Sequence, residues 1–377
     1  MTKCINILNV VPALDVGGIE IMLYNYYCNI DRDKVKFDFI VYGPNIGIIE
    51  KKFIELGCNV YHVTPKKEGF LRYYKEITKV INNKKYDIVH AHQGLMSFIP
   101  LYVAKKYRIN VRIAHAHGNN SNVGIINKII DRVFSSLVNK FANYYFSCGL
   151  EAGQWVFGKA KVNNGEVIIV NNAIDLNKFQ YKKEWREKIR KRMGLDNKYV
   201  IAQIGRISYE KNHTYTIDVF KEINKISKNV ELIFIGDGEL KENIEKKVFE
   251  NNLKDYVRFL GNCLDVNEIL SAVDILLLPS LHEGLPLTPI EAQATGLKCI
   301  ISSRVSKEIK ITQLVEFLDI DDSPVVWAKK IMNSFSESDR ESRQEEVSQA
   351  GYNIKQVAND LQEKYIEIYN IKQTKKN

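Results

Sequence analysis

Two glutamates stand close together in the stretch HEGLPLTPIE, residues 282–291. An ionised carboxylate only accepts hydrogen bonds, so Glu283 and Glu291 could hold the hydroxyls of a sugar or a ribose, whereas they would repel a phosphate. Glu291 also has a structural interpretation. Thr288 fits the N-cap of a helix with Pro289 at its first position and a capping glutamate at its third. Glu283 has no such interpretation, because it is predicted to lie in the loop before that helix.

Two basic residues in another loop could bind the phosphates of a ligand that carries such hydroxyls. Arg206 and Lys211 follow the strand-like run YVIAQI and precede a predicted helix that begins near His213. A guanidinium and an ammonium beside the free N–H groups of a helix start would hold a diphosphate without a metal ion. Two surface bases near a turn would give the same local pattern, but the position at the end of a strand favours the functional interpretation.

A pair of glycines follows the first strand-like run. Gly17 and Gly18 precede the helix-like run IMLYNYY. Glycine lets the backbone approach a ligand closely, and a helix start favours an anion. The dinucleotide fingerprint GxGxxG is not met. Ligand contact and a tight turn explain the pair equally well.

Four histidines form two HxH pairs, and each pair closes a predicted strand. His90 and His92 end one strand, and His115 and His117 end the next. Residues i and i+2 of a strand share a face, so the two pairs could converge. They could be hydrogen-bonded histidines at sheet ends, a zinc site, or contacts to a polar substrate. Zinc requires three or four ligands with an ordered second shell. The HxH of metal-dependent hydrolases follows the first strand of a barrel, whereas several strand–helix units precede the second pair here. We therefore expect no metal ion.

Parallel sheets would position these residues at the carboxyl ends of their strands. Short apolar runs alternate with amphipathic stretches, which indicates sheets covered by helices on both faces. The predicted strands are CINILNVV, VKFDFIVYG, NVYHVT, DIVHAH, VRIAHAHG and VIIVNNA in the first half, and YVIAQIGR, VELIFIGDG, VRFLGN, DILLLPSL and KCIISS in the second. The pattern predicts an α/β protein with two Rossmann-like domains facing each other across a cleft.

The predicted domains cover residues 1–175 and 196–353. A charge-rich stretch at 175–197 is predicted to be the linker, with a helix at 183–193. A C-terminal helix within 354–377 is expected to pack toward the first domain.

Composition and length limit the class of protein. The 377 residues are 45% hydrophobic and 26% charged, which is typical of an ordered chain with more than one core. The N-terminus lacks a signal-peptide pattern, and no apolar run approaches the roughly 18 residues that span a bilayer. The six cysteines are scattered without a CxxC pair. These features predict a cytoplasmic protein with reduced thiols.

All of the net charge of +9 lies in the first half, where residues 1–172 contain 22 Lys and Arg against 13 Asp and Glu. Nucleic acid, an anionic membrane, a phosphorylated substrate or an incidental surface could each explain it. One helix-like run, residues 122–145, concentrates apolar residues on one side: Ile126, Ile129, Ile130, Val133, Leu137 and Phe141. Basic residues flank that side: Lys128, Arg132 and Lys140. A helix packed on a sheet has this pattern, and so does a helix on an anionic membrane.

Taken together, the motifs resemble those of the retaining glycosyltransferases of family 4, which have the GT-B fold. The branch that makes bacterial capsular and extracellular polysaccharides is the most similar. The resemblance covers nearly the whole chain and is carried by VPALDVGGIE, DIVHAH, IAHAHG, YYFSCGLEAGQWVFG, VNNAIDLNKF, IGRISYEKNH, FIGDGEL, VRFLGN and the two spaced glutamates. The order and spacing of these motifs are more specific than any one of them.

The resemblance implies a nucleoside diphosphate sugar donor, expected to be a UDP-sugar, and no metal cofactor. The acceptor would be a saccharide or a lipid-diphosphate-linked saccharide held by the first domain, with no nucleic-acid partner. The implied donor-binding residues are Gly18, Arg206 and Lys211 for the diphosphate, Gly284, Leu287 and Thr288 in the phosphate loop, and Glu291 for the ribose. Glu283 would contact the donor sugar, and His117 would lie near its anomeric carbon. His115, one pleat further into the strand, is the weaker candidate.

Members of this family retain the anomeric configuration, so the implied mechanism is front-face attack in which the departing phosphate takes the proton of the acceptor. One segment departs from the family pattern. After Glu291 the chain continues EAQATGLKCIISSRVSKEIKIT in place of a small-residue run with a Gly-Gly turn, so Glu308 receives no role. A UDP-GlcNAc 2-epimerase-like enzyme, a non-catalytic GT-B partner subunit and a zinc hydrolase remain the alternatives.

Overall fold

The chain folds into two compact units. A computed structural model describes residues 3–15, 17–83, 86–118, 125–263, 265–335 and 340–374. Unit 1 comprises residues 1–173 together with 354–377, and unit 2 comprises residues 174–353. The C-terminal segment therefore belongs to the same unit as the N-terminal half.

Unit 1 is built on a parallel sheet with the strand order β3-β2-β1-β4-β5-β6-β7. Its strands are β1 (Ile5–Val10), β2 (Val35–Tyr42), β3 (Val60–Val63), β4 (Ile88–Ala91), β5 (Val111–Ala116), β6 (Tyr144–Ser147) and β7 (Val167–Ile169). Its helices are α1 (Gly18–Asn29), α2 (Ile48–Glu55), α3 (Phe70–Asn83), α4 (Phe98–Lys106), α5 (Ile125–Phe141), α6 (Leu150–Phe157), α7 (Lys159–Asn163) and α15 (Ile354–Thr374).

Unit 2 contains a second parallel sheet, with the order β10-β9-β8-β11-β12-β13. Its strands are β8 (Tyr199–Ile204), β9 (Val230–Ile235), β10 (Val257–Phe259), β11 (Ile275–Leu278), β12 (Lys298–Ser302) and β13 (Val315–Leu318). Its helices are α8 (Lys183–Met193), α9 (His213–Ile226), α10 (Lys241–Glu250), α11 (Val266–Ala272), α12 (Thr288–Ala294), α13 (Pro324–Met332) and α14 (Gln344–Gln349).

Local sequence explains most of these elements. All four residues of β11 are buried, as expected for a central parallel strand covered on both faces. In α3 the buried residues Tyr73, Ile77 and Ile81 recur every four positions, so one side of the helix faces the sheet. Helix α15 packs on α1 and places the fully buried ring of Tyr365 in the core of unit 1.

Two strands were missed by the sequence prediction. Strand β6 begins with two half-buried tyrosines, and β13 is an edge strand in which only Val315 is fully buried. Neither has the continuous apolar run that identified the other strands. Several strands end one or more residues earlier in the structure than predicted, and the remaining predicted residues belong to the loops that follow.

The charge-rich stretch that suggested a linker belongs to unit 2. Helix α8 occupies the predicted bounds, Lys183–Met193, and Arg186 donates to Asp274 at 2.6 Å. The other Asp274 oxygen accepts from the backbone N–H of Val200 at 2.8 Å. These bonds join α8 to the starts of β8 and β11, so the charge of Arg186 serves packing within the unit.

Each sheet has one point at which the strand order reverses direction. In unit 1 this switch point lies between the neighbouring strands β1 and β4, and in unit 2 it lies between β8 and β11. In open parallel sheets the loops leave such a strand pair in opposite directions, and ligands commonly bind between those loops. Among the described residues, no helix combines the length and the apolar character needed to cross a membrane.

Candidate functional site

The loop after β8 is held in place by close backbone packing. Gly236, in the loop after β9, has φ +132°, and a Cβ there would lie 2.1 Å from the carbonyl oxygen of Gly205. The N–H of Ile207 donates to the carbonyl of Asp237 at 3.0 Å. Only glycine allows this approach, so the motif FIGDGEL fixes the path of the loop that carries Arg206 and Lys211.

Lys211 and Glu283 meet at the switch point of unit 2. The ammonium of Lys211 lies 2.7 Å from one oxygen of Glu283 and 2.9 Å from the other. The hydroxyl of Ser280 donates to the same carboxylate at 2.6 Å. The two loops are also joined by backbone, since the N–H of Leu281 donates to the carbonyl of Glu210 at 2.8 Å. A residue predicted for the diphosphate and a residue predicted for the sugar are therefore in direct contact.

Glu291 lies in the first turn of α12, but the predicted capping box is wrong. The helix begins at Thr288 with Leu287 as N-cap, and no side chain caps it. Pro289 accordingly occupies the second helical position. The carboxylate of Glu291 has no hydrogen-bond or ion-pair partner among the described residues, and burial raises its pKa to about 7. A desolvated acceptor without a partner suits hydroxyl groups of a ligand.

The remaining predicted donor-site residues are placed as follows. Arg206 is exposed in the loop of Lys211, and Gly284 lies in the loop of Glu283. The N–H groups of Leu287 and Thr288 donate to no group among the described residues. Unit 2 thus carries Lys211 on the loop after β8, and Glu283, the two unbonded N–H groups and Glu291 on the segment from the end of β11 to the first turn of α12. Such a set can hold an anion and a polyol side by side.

Gly18 is the first residue of α1 in unit 1, at the carboxyl end of β1. It does not adopt a left-handed conformation, and a Cβ on it would meet nothing within 4 Å. Local structure therefore does not require glycine at this position. The expected contact with a diphosphate stays a prediction.

The four histidines converge at the carboxyl ends of β4 and β5. His92 Nδ1 lies 2.8 Å from His117 Nε2, and His92 Nε2 lies 3.1 Å from Asn9 Oδ1 across the switch point of unit 1. A second chain runs through His90, whose Nδ1 lies 2.8 Å from the hydroxyl of Tyr365 and whose Nε2 lies 3.2 Å from His115 Nδ1.

Burial keeps this cluster neutral. Desolvation is the largest cause that lowers the pKa of His90, His92 and His115 well below 6.5, and it lowers that of His117 to about 3. Each ring pairs with its neighbour as a neutral donor and acceptor. His117 points toward His92, and its Nδ1 is buried without a partner among the described residues. Its side chain faces the cluster, so any contact with a sugar near its anomeric centre stays a prediction.

Three histidines of the cluster lie close enough together to bind a metal ion. His90, His92 and His115 could offer ligand atoms within 4.8 Å of one another. However, both ring nitrogens of His90 and both of His92 already take part in hydrogen bonds. A metal ion would have to displace two of these bonds, so the geometry favours a hydrogen-bonded network over a metal site.

Sequence reasoning missed three residues of these networks: Ser280, Asn9 and Tyr365. Asn9 is a fully buried polar residue between Leu8 and Val10 of β1, and a polar residue in such an apolar stretch is a usable signal. Ser280 follows β11 directly and offers a weaker one. Tyr365 lies 275 positions from His90 along the chain, and nothing in the sequence connects the two.

A cavity of about 470 Å³ lies elsewhere in unit 1, lined by residues that include Lys3, Asp87 and Tyr369. Lys3 and Asp87 precede β1 and β4, so this cavity is at the amino-terminal edge of the sheet. None of the predicted site residues lines it. The cavity is therefore not part of the predicted site.

Two family models match the chain, and together they span most of it. Glycosyltransferase Family 4 matches residues 16–178, and Glycosyl transferases group 1 matches residues 185–346. The first covers the glycines and histidines of unit 1, and the second covers Lys211, Glu283 and Glu291.

The chain belongs to the family 4 glycosyltransferases.

Curated relatives agree with this assignment. The chain is 28% identical to the putative glycosyltransferase EpsF of Bacillus subtilis (strain 168), over 97% of this chain and 96% of that protein. It is 27% identical to the UDP-Gal:alpha-D-GlcNAc-diphosphoundecaprenol alpha-1,3-galactosyltransferase of Escherichia coli, over 77% of this chain and 78% of that enzyme.

Among solved structures, Anabaena HepE in complex with UDP-glucose matches with a TM-score of 0.78 at 18% identity, over 96% of this chain and 99% of that chain. This likeness shows the fold. The predicted fold class, two Rossmann-like domains of the GT-B type, is confirmed, and the protein is a glycosyltransferase.

Proposed function

We propose that this glycosyltransferase moves a sugar from a UDP-sugar to a saccharide or to a saccharide linked to a lipid diphosphate. In this proposal the anomeric configuration is retained, no metal ion takes part, and the product belongs to a capsular or extracellular polysaccharide. The Escherichia coli relative is named for a UDP-sugar donor and a diphosphoundecaprenol-linked acceptor, which supports both substrate classes.

The contact between Lys211 and Glu283 is the observation that carries the proposal. In a nucleoside diphosphate sugar, the second phosphate is bonded directly to the anomeric carbon. A cation that holds this phosphate and an acid that holds the sugar must therefore be neighbours. A separation of 2.7 Å between their charged groups satisfies this requirement. Glu291, partly buried and unpaired, provides the acceptor for ribose hydroxyls.

The proposed reaction breaks the bond between the anomeric carbon and the phosphate oxygen and forms a bond to the acceptor oxygen on the same face. The departing phosphate takes the proton of the acceptor hydroxyl, so no separate base is needed. Lys211, Arg206 and the N–H groups at the start of α12 would stabilise the negative charge that develops on the leaving diphosphate. Glu283 would orient the sugar and stabilise the positive charge at its ring.

A panel of nucleotide sugars tests the donor assignment. Bound donor should raise the melting temperature, because it binds the folded state only. With the preferred donor and a diphosphate-linked acceptor, NMR of the product should show the anomeric configuration of the donor, and EDTA should leave the rate unchanged. An inverted product, or a rate lost in EDTA, would contradict the mechanism. Conversion of UDP-GlcNAc without any acceptor would favour the 2-epimerase alternative.

Association with an anionic membrane is the second part of the proposal. On α5, Ile129, Ile130 and Val133 are 55%, 43% and 52% exposed. Lys128 and Arg132 on the same helix are also exposed. Ile126 belongs to the predicted apolar side, but its side chain lies outside the described residues. An exposed apolar strip beside basic residues suits the interface of anionic lipids.

Vesicle sedimentation tests this association. The parent should sediment with phosphatidylglycerol vesicles at low salt, and the double variant Ile129→Ser, Val133→Ser should sediment much less. Ile226→Ser is the matched control, since Ile226 is 56% exposed on a helix of unit 2. Equal sedimentation of the parent and the double variant would show that α5 does not bind the vesicles.

A further inference from the structure

One lysine of unit 1 has an unusual set of neighbours. Lys66 follows β3, and its ammonium lies 5.3 Å from the ring centre of Tyr42 and 5.4 Å from that of Tyr73. Its hydrogen-bond partner is the amide oxygen of Gln93, at 3.3 Å. No carboxylate pairs with it among the described residues. The positive charge is thus surrounded by neutral groups.

Other half-buried lysines differ from Lys66 because they have a carboxylate partner. Lys211 and Lys198 are each paired with a carboxylate, Glu283 and Glu231 respectively. Desolvating a charge without a counterion is costly. Burial accordingly lowers the pKa of Lys66 to about 8. An anion at this point would remove that cost.

The same cluster has more hydrogen-bond donors than acceptors. The side-chain amide of Gln93 donates to the hydroxyl of Tyr42, and that hydroxyl lies 2.9 Å from the hydroxyl of Tyr73. Two hydroxyl protons are available, but the Tyr42–Tyr73 bond uses one. The second has no acceptor among the described residues, whichever tyrosine carries it. The ammonium of Lys66 likewise has protons that the Gln93 oxygen does not use.

The cluster also lies where ligands bind in such sheets. Tyr42 ends β2, Lys66 follows β3 and Gln93 follows β4, so all three are at the carboxyl edge of the unit 1 sheet. Gln93 directly follows His92 of the histidine cluster. A positive site rich in donors at this edge matches the chemistry of a phosphate group, whose oxygens only accept hydrogen bonds when ionised.

We propose that Lys66, Tyr42, Tyr73 and Gln93 form a phosphate-binding subsite for the acceptor. The inference rests on the proposed function, since it places the phosphate of a phosphate-bearing acceptor in unit 1 and the diphosphate of the donor in unit 2. The excess of basic residues in the first half of the sequence would attract such an acceptor.

Calorimetric titration with inorganic pyrophosphate tests the subsite. The protein is first saturated with UDP, so that pyrophosphate cannot enter the donor site. The parent should still bind pyrophosphate, and Lys66→Met should bind it about tenfold or more weakly, as loss of a charged hydrogen-bond donor implies. Lys67→Met is the matched control, because Lys67 is the adjacent, exposed lysine, and its affinity should stay within about twofold.

A charge-retaining variant separates binding from folding. Lys66→Arg stays protonated at all relevant pH values, so its affinity relative to the parent should rise between pH 7 and pH 9 as Lys66 loses its proton. Equal pyrophosphate affinity in Lys66→Met and parent would overturn the proposal, as would no binding by the UDP-saturated parent. UDP affinity is measured in every variant. If the parent protein did not bind UDP, that result would instead contradict the proposed donor function.

Two soluble probes distinguish the source of the phosphate. Geranyl diphosphate carries a lipid chain, and glucose 1-phosphate carries a sugar. Binding of the first that depends on Lys66 would indicate a lipid-linked acceptor, and binding of the second a sugar phosphate. If neither depends on Lys66, the subsite does not bind acceptor phosphates and the proposal is wrong.

Discussion

Units 1 and 2 share one strand order around their switch points, yet the side chains that meet there differ in charge. In unit 2 the meeting residues are Lys211 and Glu283, an ion pair. In unit 1 they are Asn9 and His92, which are uncharged. The topology supplies a crevice in both cases, and the residues at the strand ends decide its chemistry. Under the proposed function, the charged switch point of unit 2 would serve the donor, whereas the switch point of unit 1 carries no charged side chain on Asn9 or His92.

Burial acts on the two sites in opposite directions with respect to pH. It lowers the pKa of the histidines in unit 1 and raises that of Glu291 in unit 2. Unit 1 should therefore lose stability as the pH falls, whereas unit 2 should lose stability as the pH rises through the range between the ordinary and the shifted pKa of Glu291.

The largest expected effect is acid destabilisation of unit 1. A histidine with a lowered pKa binds its proton only after unfolding, so stability is lost as the pH falls below about 6.5. His90, His92 and His115 all act in this direction, so their contributions to the loss of stability add between pH 6.5 and pH 5. Hydrogen–deuterium exchange with mass spectrometry should show faster exchange in β4 and β5 than in β8 and β11 at pH 5.

The control for this prediction is His282→Gln in unit 2, which should leave the exchange of β4 and β5 unchanged. Equal protection of the two sheets from exchange at pH 5 would show that the histidines take up protons in the folded state. That result would contradict the expected difference in acid stability between units 1 and 2.

The next effect concerns the ion pair. Glu283→Gln keeps the shape of the side chain but removes the charge that faces Lys211. We expect sugar transfer to fall by about 10²–10³-fold, as is typical when a group that stabilises the transition state is lost, with UDP affinity changed only a few-fold. Glu245→Gln, an exposed glutamate on α10, is the matched control and should transfer at the parental rate. If Glu283→Gln transferred sugar at the parental rate, the contact between Lys211 and Glu283 could not support the proposed function.

The third effect is a gain of stability in Glu291→Gln. The folded state holds the proton of Glu291 up to about pH 7, against 4.5 ordinarily, so the stability of the parent decreases as the pH rises from 4.5 to 7. At pH 8 the variant should be more stable by about 2–3 kcal/mol, while at pH 4 the two should match. Thermal unfolding at both pH values measures this difference.

The same variant should bind UDP more weakly. If Glu291 binds the ribose as proposed, its ionised carboxylate would accept hydrogen bonds from the ribose hydroxyls. The affinity of the parent should then increase as the pH rises through about 7, and the affinity of Glu291→Gln should lack this dependence. Parallel pH profiles for the two proteins would show that Glu291 is not in contact with the ribose.

The smallest effect concerns the C-terminal helix. Tyr365→Phe removes the hydroxyl that pairs with His90 and leaves one imidazole nitrogen without a partner, which should lower the free energy of unfolding of unit 1 by about 1–3 kcal/mol. Tyr369→Phe, on the same helix, loses only a hydrogen bond from exposed Lys3. This variant should change the free energy of unfolding by less than about 0.5 kcal/mol. Chemical denaturation of both variants provides the measurement, and equal values would contradict the role of Tyr365.

The sequence by itself determined the α/β class, two parallel sheets and the loops that carry the candidate site residues. Apolar strands such as β11 are recognisable because a strand covered on both faces has no polar alternation. Motifs at strand ends pointed to Lys211, Glu283 and Glu291, since ligand-binding residues in such sheets follow the strands. Strands β6 and β13 were missed because their burial is incomplete, and burial was the signal used.

Only the tertiary structure decided which of these residues meet. Lys211 and Glu283 are 72 positions apart, and they touch because β8 and β11 are neighbours in the sheet. Tyr365 reaches His90 because α15 returns to unit 1. Burial likewise has no signature in a single residue, so the neutral histidines, the raised pKa of Glu291 and the unpaired charge of Lys66 could not be predicted. Local sequence specifies local conformation, whereas contact and desolvation depend on segments that are distant in the chain.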